Sequence, residues 1–219
     1  MHETGDPHLV EKILQNNEDL AAHNREHFDE LGLTAVNFMS APGAGKTTLI
    51  ASVLHFLSAA FSVRVIEGDM VGSLDADRLR KLGVQVEQIS TGRSCHLDAQ
   101  MVARVLHDSD FFENCQFLII ENVGNLVCPA EFPLGEHKRV VLLSVTEGDD
   151  KPLKYPVIFR NCDAVVFTKC DLLPHVSFSI DQAEHAILGI QPQCEIFRVS
   201  AKTGEGIEEF AAYLRALRP

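Results

Sequence analysis

Short runs of apolar and β-branched residues alternate along the chain with longer stretches in which apolar positions recur every three or four residues. The short runs predict strands at 34–39, 63–67, 85–89, 117–121, 140–145, 164–168 and 195–199. Between them, the longer periodicity predicts helices at about 46–60, 75–82, 97–107, 153–161, 180–188 and 207–216. Nearly continuous apolar strands separated by helices are the pattern of a parallel sheet covered on both faces. Ahead of the first strand, Leu9, Val10, Ile13, Leu14, Leu20 and Phe28 recur at roughly helical spacing, which predicts an amphipathic helix stopped by Gly32. The expected fold class is therefore α/β: a doubly wound, mostly parallel sheet of about seven strands with an N-terminal helical extension. We divide the chain into an amphipathic helix at 1–32 and one domain at 33–219, with no repeat or linker.

Charge narrows the partners. Lys and Arg number 19 against 31 Asp and Glu, a formal charge of −12, and phosphate-backbone binding needs the opposite balance, so nucleic acid is not expected. No apolar run approaches the roughly 18 residues of a membrane helix, and the N-terminus, MHETGDPH, has neither a basic nor an apolar leader region. The expectation is a soluble, cytoplasmic protein with no membrane partner. Six cysteines without regular spacing do not make a disulfide framework. Cys115, Cys162 and Cys194 read as small buried residues at strand entrances, and any special cysteine as a metal ligand or nucleophile.

The first strand runs into Ser40-Ala41-Pro42-Gly43-Ala44-Gly45-Lys46-Thr47-Thr48 and then into an apolar helix. That context makes the segment a P-loop, and the fold a P-loop NTPase: backbone amides of Gly43, Ala44 and Gly45 cradle phosphates, Lys46 reaches the β- and γ-phosphates, and Thr47 binds magnesium. Ser40 stands where the general pattern has its first glycine. Thr168-Lys169-Cys170-Asp171 resembles the guanine-specificity motif NKxD, in the TKxD form of the signal-recognition-particle GTPases. An Asp171 carboxylate can accept from both the N1–H and the 2-amino group of guanine. Ser200-Ala201-Lys202 resembles the second guanine motif, so GTP and GDP are favoured over ATP. After the strand at 117–121, Glu121-Asn122-Val123-Gly124 stands in for DxxG, with Glu121 toward magnesium and the Gly124 amide toward the γ-phosphate. Asp69 and Asp75 are candidates for holding magnesium or positioning the attacking water, helix capping being an equal explanation for Asp75. No glutamine adjoins Asn122 and no arginine is evident as a finger in cis, Arg93 being distant. The catalytic set is thus Lys46, Asp75, Glu121 and Gly124, with slow turnover expected.

Two further stretches carry metal-ligand chemistry. Cys95 and His96 are adjacent, and Cys128 lies seven residues beyond Glu121, in the segment expected to move with the γ-phosphate. Thiolate and imidazole suit nickel or zinc, and three ligands leave a closed tetrahedral site one short. A water or a second subunit completes such a sphere, which suits a metal that must leave again.

With the P-loop at 40–48, Gly68-Asp69, TGRSCHLDA at 91–99, IENVGNLVCPAEF at 120–132, LLSVTEGDDKPLKYP at 142–156 and TKCD, nearly the whole chain resembles the HypB family. These are GTPases that assist nickel insertion into [NiFe] hydrogenases. The resemblance implies a GTP-dependent homodimer with Cys95, His96 and Cys128 binding nickel or zinc near its interface; for the apolar segment 152–159, a contribution to that interface and a core helix are equal readings. It also implies a HypA-like nickel chaperone and a hydrogenase large-subunit precursor as partners. Some members carry an N-terminal CxxCGC motif or a His-rich run. Here His2, His8, His23 and His27 are scattered, which argues against nickel storage. Two other readings stand beside it: a UreG-like urease GTPase, whose metal motif CPH differs from the one here, and a small-molecule P-loop kinase in which Cys128 is structural.

Overall fold

The computed structural model describes residues 7–70 and 72–217. Residues 1–6, His2 among them, lie outside them, as do Val71, Arg218 and Pro219. Seven strands form one sheet: β1 (Thr34–Ser40), β2 (Val63–Asp69), β3 (Gln85–Ser90), β4 (Phe117–Glu121), β5 (Lys138–Ser144), β6 (Ala164–Thr168) and β7 (Glu195–Arg198). Their order is β3-β2-β4-β1-β5-β6-β7 and every pairing is parallel. The helices are α1 (Pro7–Glu30), α2 (Lys46–Ser58), α3 (Leu74–Arg80), α4 (Ala99–Leu106), α5 (Cys128–Glu131), α6 (Lys151–Lys154), α7 (Pro156–Arg160), α8 (Ile180–Ile190) and α9 (Ile207–Ala216), with a 3₁₀ turn at Cys170–His175.

Both sheet faces are covered, as the unbroken apolar strands require. On one, α2, α3 and α9 pack through Leu49, Val53, Leu79, Phe210 and Leu214 against Val36, Phe38 and Val65. On the other, Phe28 of α1 and Val102 of α4 meet Ile66 and Ile120, while Phe159 of α7 and Ile187 of α8 meet Val141 and Val165. Cys115, Cys162 and Cys194 are buried just before β4, β6 and β7.

The structure departs from the sequence pattern in three places. The helix expected at 153–161 is two short helices, because Pro156 forces Tyr155 out of helical conformation (φ −125°, ψ 56°). The helix expected from 97 starts at Ala99, where the Asp98 carboxylate accepts from the Met101 amide at 2.8 Å. The third concerns α1, whose buried stripe is Asn17, Ala21, Asn24 and Phe28, while Leu9, Val10 and Ile13 are exposed. The apolar residues that announce the helix are thus largely not those that seat it.

A parallel sheet gathers its functional loops at the carboxyl ends of the strands. The loops after β1, β2, β3, β4 and β6 carry the P-loop, Asp69 and Asp75, Cys95 and His96, Gly124 and Cys128, and Asp171, respectively.

Candidate nucleotide and metal site

The P-loop turns on Gly43 (φ 74°) and Gly45 (φ 97°), left-handed conformations that glycine adopts without strain, and α2 begins at Lys46. A cavity of about 280 Å³ opens beside it, lined by Ala44, Gly45 and Thr48 on one side and by Lys169, Asp171, Ala201 and Lys202 on the other. The structure thus brings the two guanine-type segments to the P-loop. Thr168 Oγ1 donates to the Ala44 carbonyl and Lys169 Nζ to the Gly43 carbonyl, both at 2.7 Å, so these residues brace the loop from the base side. Asp171 Oδ1 accepts from Ser200 Oγ at 2.7 Å. The Ser200 amide donates to the Glu205 carbonyl at 3.0 Å, and Ala201 and Lys202 line the cavity.

At the phosphate end, buried Lys46 donates to Ser40 Oγ at 3.0 Å, which gives Ser40 a role at the departure from the general motif. Burial lowers the Lys46 pKa, with Glu121 the largest opposing influence. Thr47 Oγ1 donates to Glu121 Oε1 at 2.7 Å, while Glu121 Oε2 is buried without a hydrogen-bond partner. Burial raises the Glu121 pKa to about 7. A buried hydroxyl–carboxylate pair with one orphaned oxygen fits a hard divalent cation. Gly124 lies against the P-loop so closely that a Cβ there would fall 2.9 Å from Pro42 Cα, so only glycine lets this segment run past the phosphate cradle.

Asp69 accepts from the amides of Met70 and Gly72 at 2.6 and 3.1 Å, closing its own loop. Asp75 is the second residue of α3, whose cap position is Ser73. It lies near enough to Lys46, Glu67 and Glu121 to influence the ionisation of all three.

Two residues here escaped the sequence reading. Glu67 pairs in register with Glu121, is buried, and also keeps an unpartnered Oε2. Burial first and Glu121 next raise its pKa to about 8. The signal available was an acidic residue inside the apolar run VRVIEGD. Arg78 of α3 donates to Thr48 Oγ1 at 3.0 Å, placing an arginine at the P-loop in cis, where none was evident and Arg93 was the distant candidate. Only the turn of α3 reveals it.

On the neighbouring loops, Cys95 Sγ and Cys128 Sγ are 2.9 Å apart and His96 Nδ1 is 3.8 Å from Cys95 Sγ. One ligand atom from each of the three lies within 4.8 Å of the others. Burial lowers the His96 pKa, favouring the neutral imidazole a metal needs. The hydrogen bond with Cys95 raises the Cys128 pKa, burial adding to it. The His96 ring packs on Phe132, centroids 4.0 Å apart. Asn122 Oδ1 accepts from the Leu97 amide at 3.0 Å and Asn125 Nδ2 donates to the Cys95 carbonyl at 3.4 Å, so the segment after β4 grips the loop bearing the other two ligands.

Residues 34–198 match the family described as CobW/HypB/UreG, nucleotide-binding domain. The chain is 50% identical over 206 residues to the hydrogenase maturation factor HypB of Rhizobium leguminosarum bv. viciae, covering 94% of this chain and 69% of that protein. Among solved structures, HypB from Helicobacter pylori in complex with nickel superposes with a TM-score of 0.85 at 44% identity, covering 91% of this chain and 93% of that one. HypB from Archaeoglobus fulgidus gives 0.84 at 42% identity, covering 92% and 98%.

Proposed function

This chain belongs to the CobW/HypB/UreG nucleotide-binding family, in its HypB branch, and from that membership we propose that it is a GTP-hydrolysing switch that controls nickel insertion during [NiFe] hydrogenase maturation. The observation that carries the reading is the convergence of Cys95, His96 and Cys128 at the end of the segment that begins with Glu121 and passes Gly124 over the P-loop. The curated relatives are HypB proteins that share the description of hydrogenase maturation factor, two of them, from Helicobacter pylori, being described as hydrogenase/urease maturation factors, so hydrogenase is the target they have in common.

GTP lies with its base between Lys169, Asp171, Ala201 and Lys202 and its phosphates on the amides of Gly43, Ala44, Gly45, Lys46, Thr47 and Thr48. Lys46 leaves Ser40 for the β- and γ-phosphates. Thr47 and Glu121 would hold magnesium, with Glu67 beside them, and the ion would neutralise charge on the β- and γ-phosphate oxygens. Asp75 positions the attacking water, and Arg78 steadies the nucleotide through Thr48. Water adds to the γ-phosphorus as the β–γ bridging bond breaks, yielding GDP and inorganic phosphate.

The Gly124 amide follows the γ-phosphate and carries Cys128 with it, so the nickel cargo is held in one nucleotide state and loosened in the other. A second copy of the chain, assembled with GTP, completes the coordination left open by three ligands. Nickel, or zinc in its place, is exchanged with a HypA-like chaperone and passed to the hydrogenase large-subunit precursor. Among the described residues no helix is long and apolar enough to cross a membrane. The experiment is equilibrium nickel binding measured with GDP and with a non-hydrolysable GTP analogue. Different affinities are expected, and identical ones would overturn the switch.

A further inference from the structure

The buried stripe of α1 contains two asparagines, Asn17 and Asn24, at positions where a helix held by packing alone would carry apolar residues. Both side chains do the same thing. Asn17 Oδ1 accepts from the Ala99 amide at 2.8 Å, and Asn17 Nδ2 donates to the Pro133 carbonyl at 2.8 Å. Asn24 Nδ2 donates to the Ala99 carbonyl at 2.9 Å and to the Leu134 carbonyl at 3.0 Å. Each asparagine thus ties one residue, Ala99, to the segment 133–134. Ala99 stands three residues beyond His96, and Pro133 five beyond Cys128.

A second, independent feature fixes the same seat. Arg25 Nε donates to the Gly135 carbonyl at 2.6 Å, and a Cβ on Gly135 would lie 2.7 Å from Asn24 Cβ and 2.8 Å from the Ala21 carbonyl. Gly135 (φ 100°) therefore allows α1 to press directly on the segment that follows Cys128. Between clamp and ligand, Phe132 connects Pro133 to the His96 ring. The arrangement has a cost, since Asn24 Oδ1 remains buried without a partner. Against that cost, the two amides satisfy backbone groups of Ala99, Pro133 and Leu134 that an apolar stripe would leave without these partners, so the seat fixes positions as well as packing.

We infer that α1 is a strap across the metal site: Asn17 and Asn24 fix the separation of the loop bearing Cys95 and His96 from the segment bearing Cys128, so that docking of α1 and affinity for the metal are linked. The inference rests on the reading of those three residues as the nickel ligands. The strap acts through position and touches no metal. Linkage is reciprocal, so nickel tightens α1 onto its seat as much as the seated helix tightens nickel.

The test uses the full chain with nickel as probe. Nickel affinity, by competition with a chromophoric chelator, and the nickel–thiolate absorption band are compared for wild type, Asn17→Ala with Asn24→Ala, and Gly135→Ala, with GDP affinity measured on the same samples. Amide exchange across residues 17–28 is followed with and without nickel in wild type. We expect roughly tenfold weaker nickel binding and a shifted band in the variants, within the range of typical site-to-site couplings, with GDP affinity unchanged. Nickel should slow exchange in α1 of wild type. Unchanged nickel affinity in the folded variants overturns the strap. So does α1 exchange indifferent to nickel in wild type, a measurement that stands even if the variants do not fold. Wild type that takes no nickel at all overturns the ligand reading and the strap with it.

Discussion

Glu67 and Glu121 lie side by side in the register of β2 and β4, each 3% exposed and each with one carboxyl oxygen that meets no donor. Burial raises both carboxyl pKa values, to about 8 for Glu67, where Glu121 adds to the effect, and to about 7 for Glu121. The folded protein therefore binds protons here that the unfolded chain releases above the ordinary carboxylate range. Stability from this pair is present in acid and is lost as pH rises through 7 and 8. Thermal unfolding of the nucleotide-free protein between pH 5 and 9 should show that loss, and Glu67→Gln should flatten it. The same variant should raise the magnesium concentration needed for tight GTP binding by about tenfold, as expected of one lost ligand-shell group. A magnesium requirement that ignores Glu67 would separate this residue from the cation.

Lys46 Nζ donates to Ser40 Oγ at 3.0 Å, beside the P-loop amides. On the proposed role of its ammonium as a phosphate ligand, Lys46→Ala should abolish hydrolysis and leave the circular dichroism spectrum intact. Wild type should turn over slowly, below about 10⁻¹ s⁻¹, in the range of GTPases without a supplied arginine finger. Arg78 meets Thr48 rather than the expected site of the γ-phosphate, so it does not alter that expectation. A steady-state rate of tens per second would contradict it.

Asp171 already accepts from Ser200 Oγ at 2.7 Å and keeps its other oxygen toward Lys202 and the cavity. Asp171→Asn should weaken GTP and improve xanthosine triphosphate, because xanthine offers a carbonyl where guanine offers an amino group. Sites that pair with a polar edge discriminate by on the order of 10⁴. Equal displacement of a fluorescent guanine nucleotide by ATP and GTP would remove Asp171 from base selection.

Nickel affinity should differ between the GDP and GTP-analogue states by about 5–150-fold, and GTP affinity should change by the same factor when nickel binds. Cys95→Ala should lose the metal and keep the nucleotide, whereas Cys128→Ala should also loosen the coupling. The raised Cys128 pKa means that ligation must expel a tightly held proton, so nickel affinity should fall as pH drops. A titration between pH 6 and 8.5 checks the sign, and a flat profile would argue against thiolate ligation.

The sheet was legible because β-branched runs such as those of β1, β4 and β6 leave no other use for themselves, and the P-loop because its residue types and its strand-to-helix context coincide. Cys95, His96 and Cys128 were legible by type as a candidate set, which the fold brings together. What the chain could not announce is what depends on tertiary approach. Glu67 faces Glu121 only once β2 and β4 are paired. Arg78 reaches Thr48 only through the turn of α3. Thr168 and Lys169 looked like base readers and also grip the P-loop carbonyls. Asn17 and Asn24 were invisible to apolar periodicity because they are polar residues on a buried face.

The two rims of the sheet bear on edge-to-edge growth. Strands β3 and β7 have one neighbour each, and their exposed positions include Glu87 on one and Glu195 and Arg198 on the other. Two copies joined rim to rim through β3 would place Glu87 of both on one ladder, and charged side chains at a rim are a means by which natural sheets discourage continuous growth. Edge-to-edge aggregation is thereby opposed by the charged side chains that both rims carry.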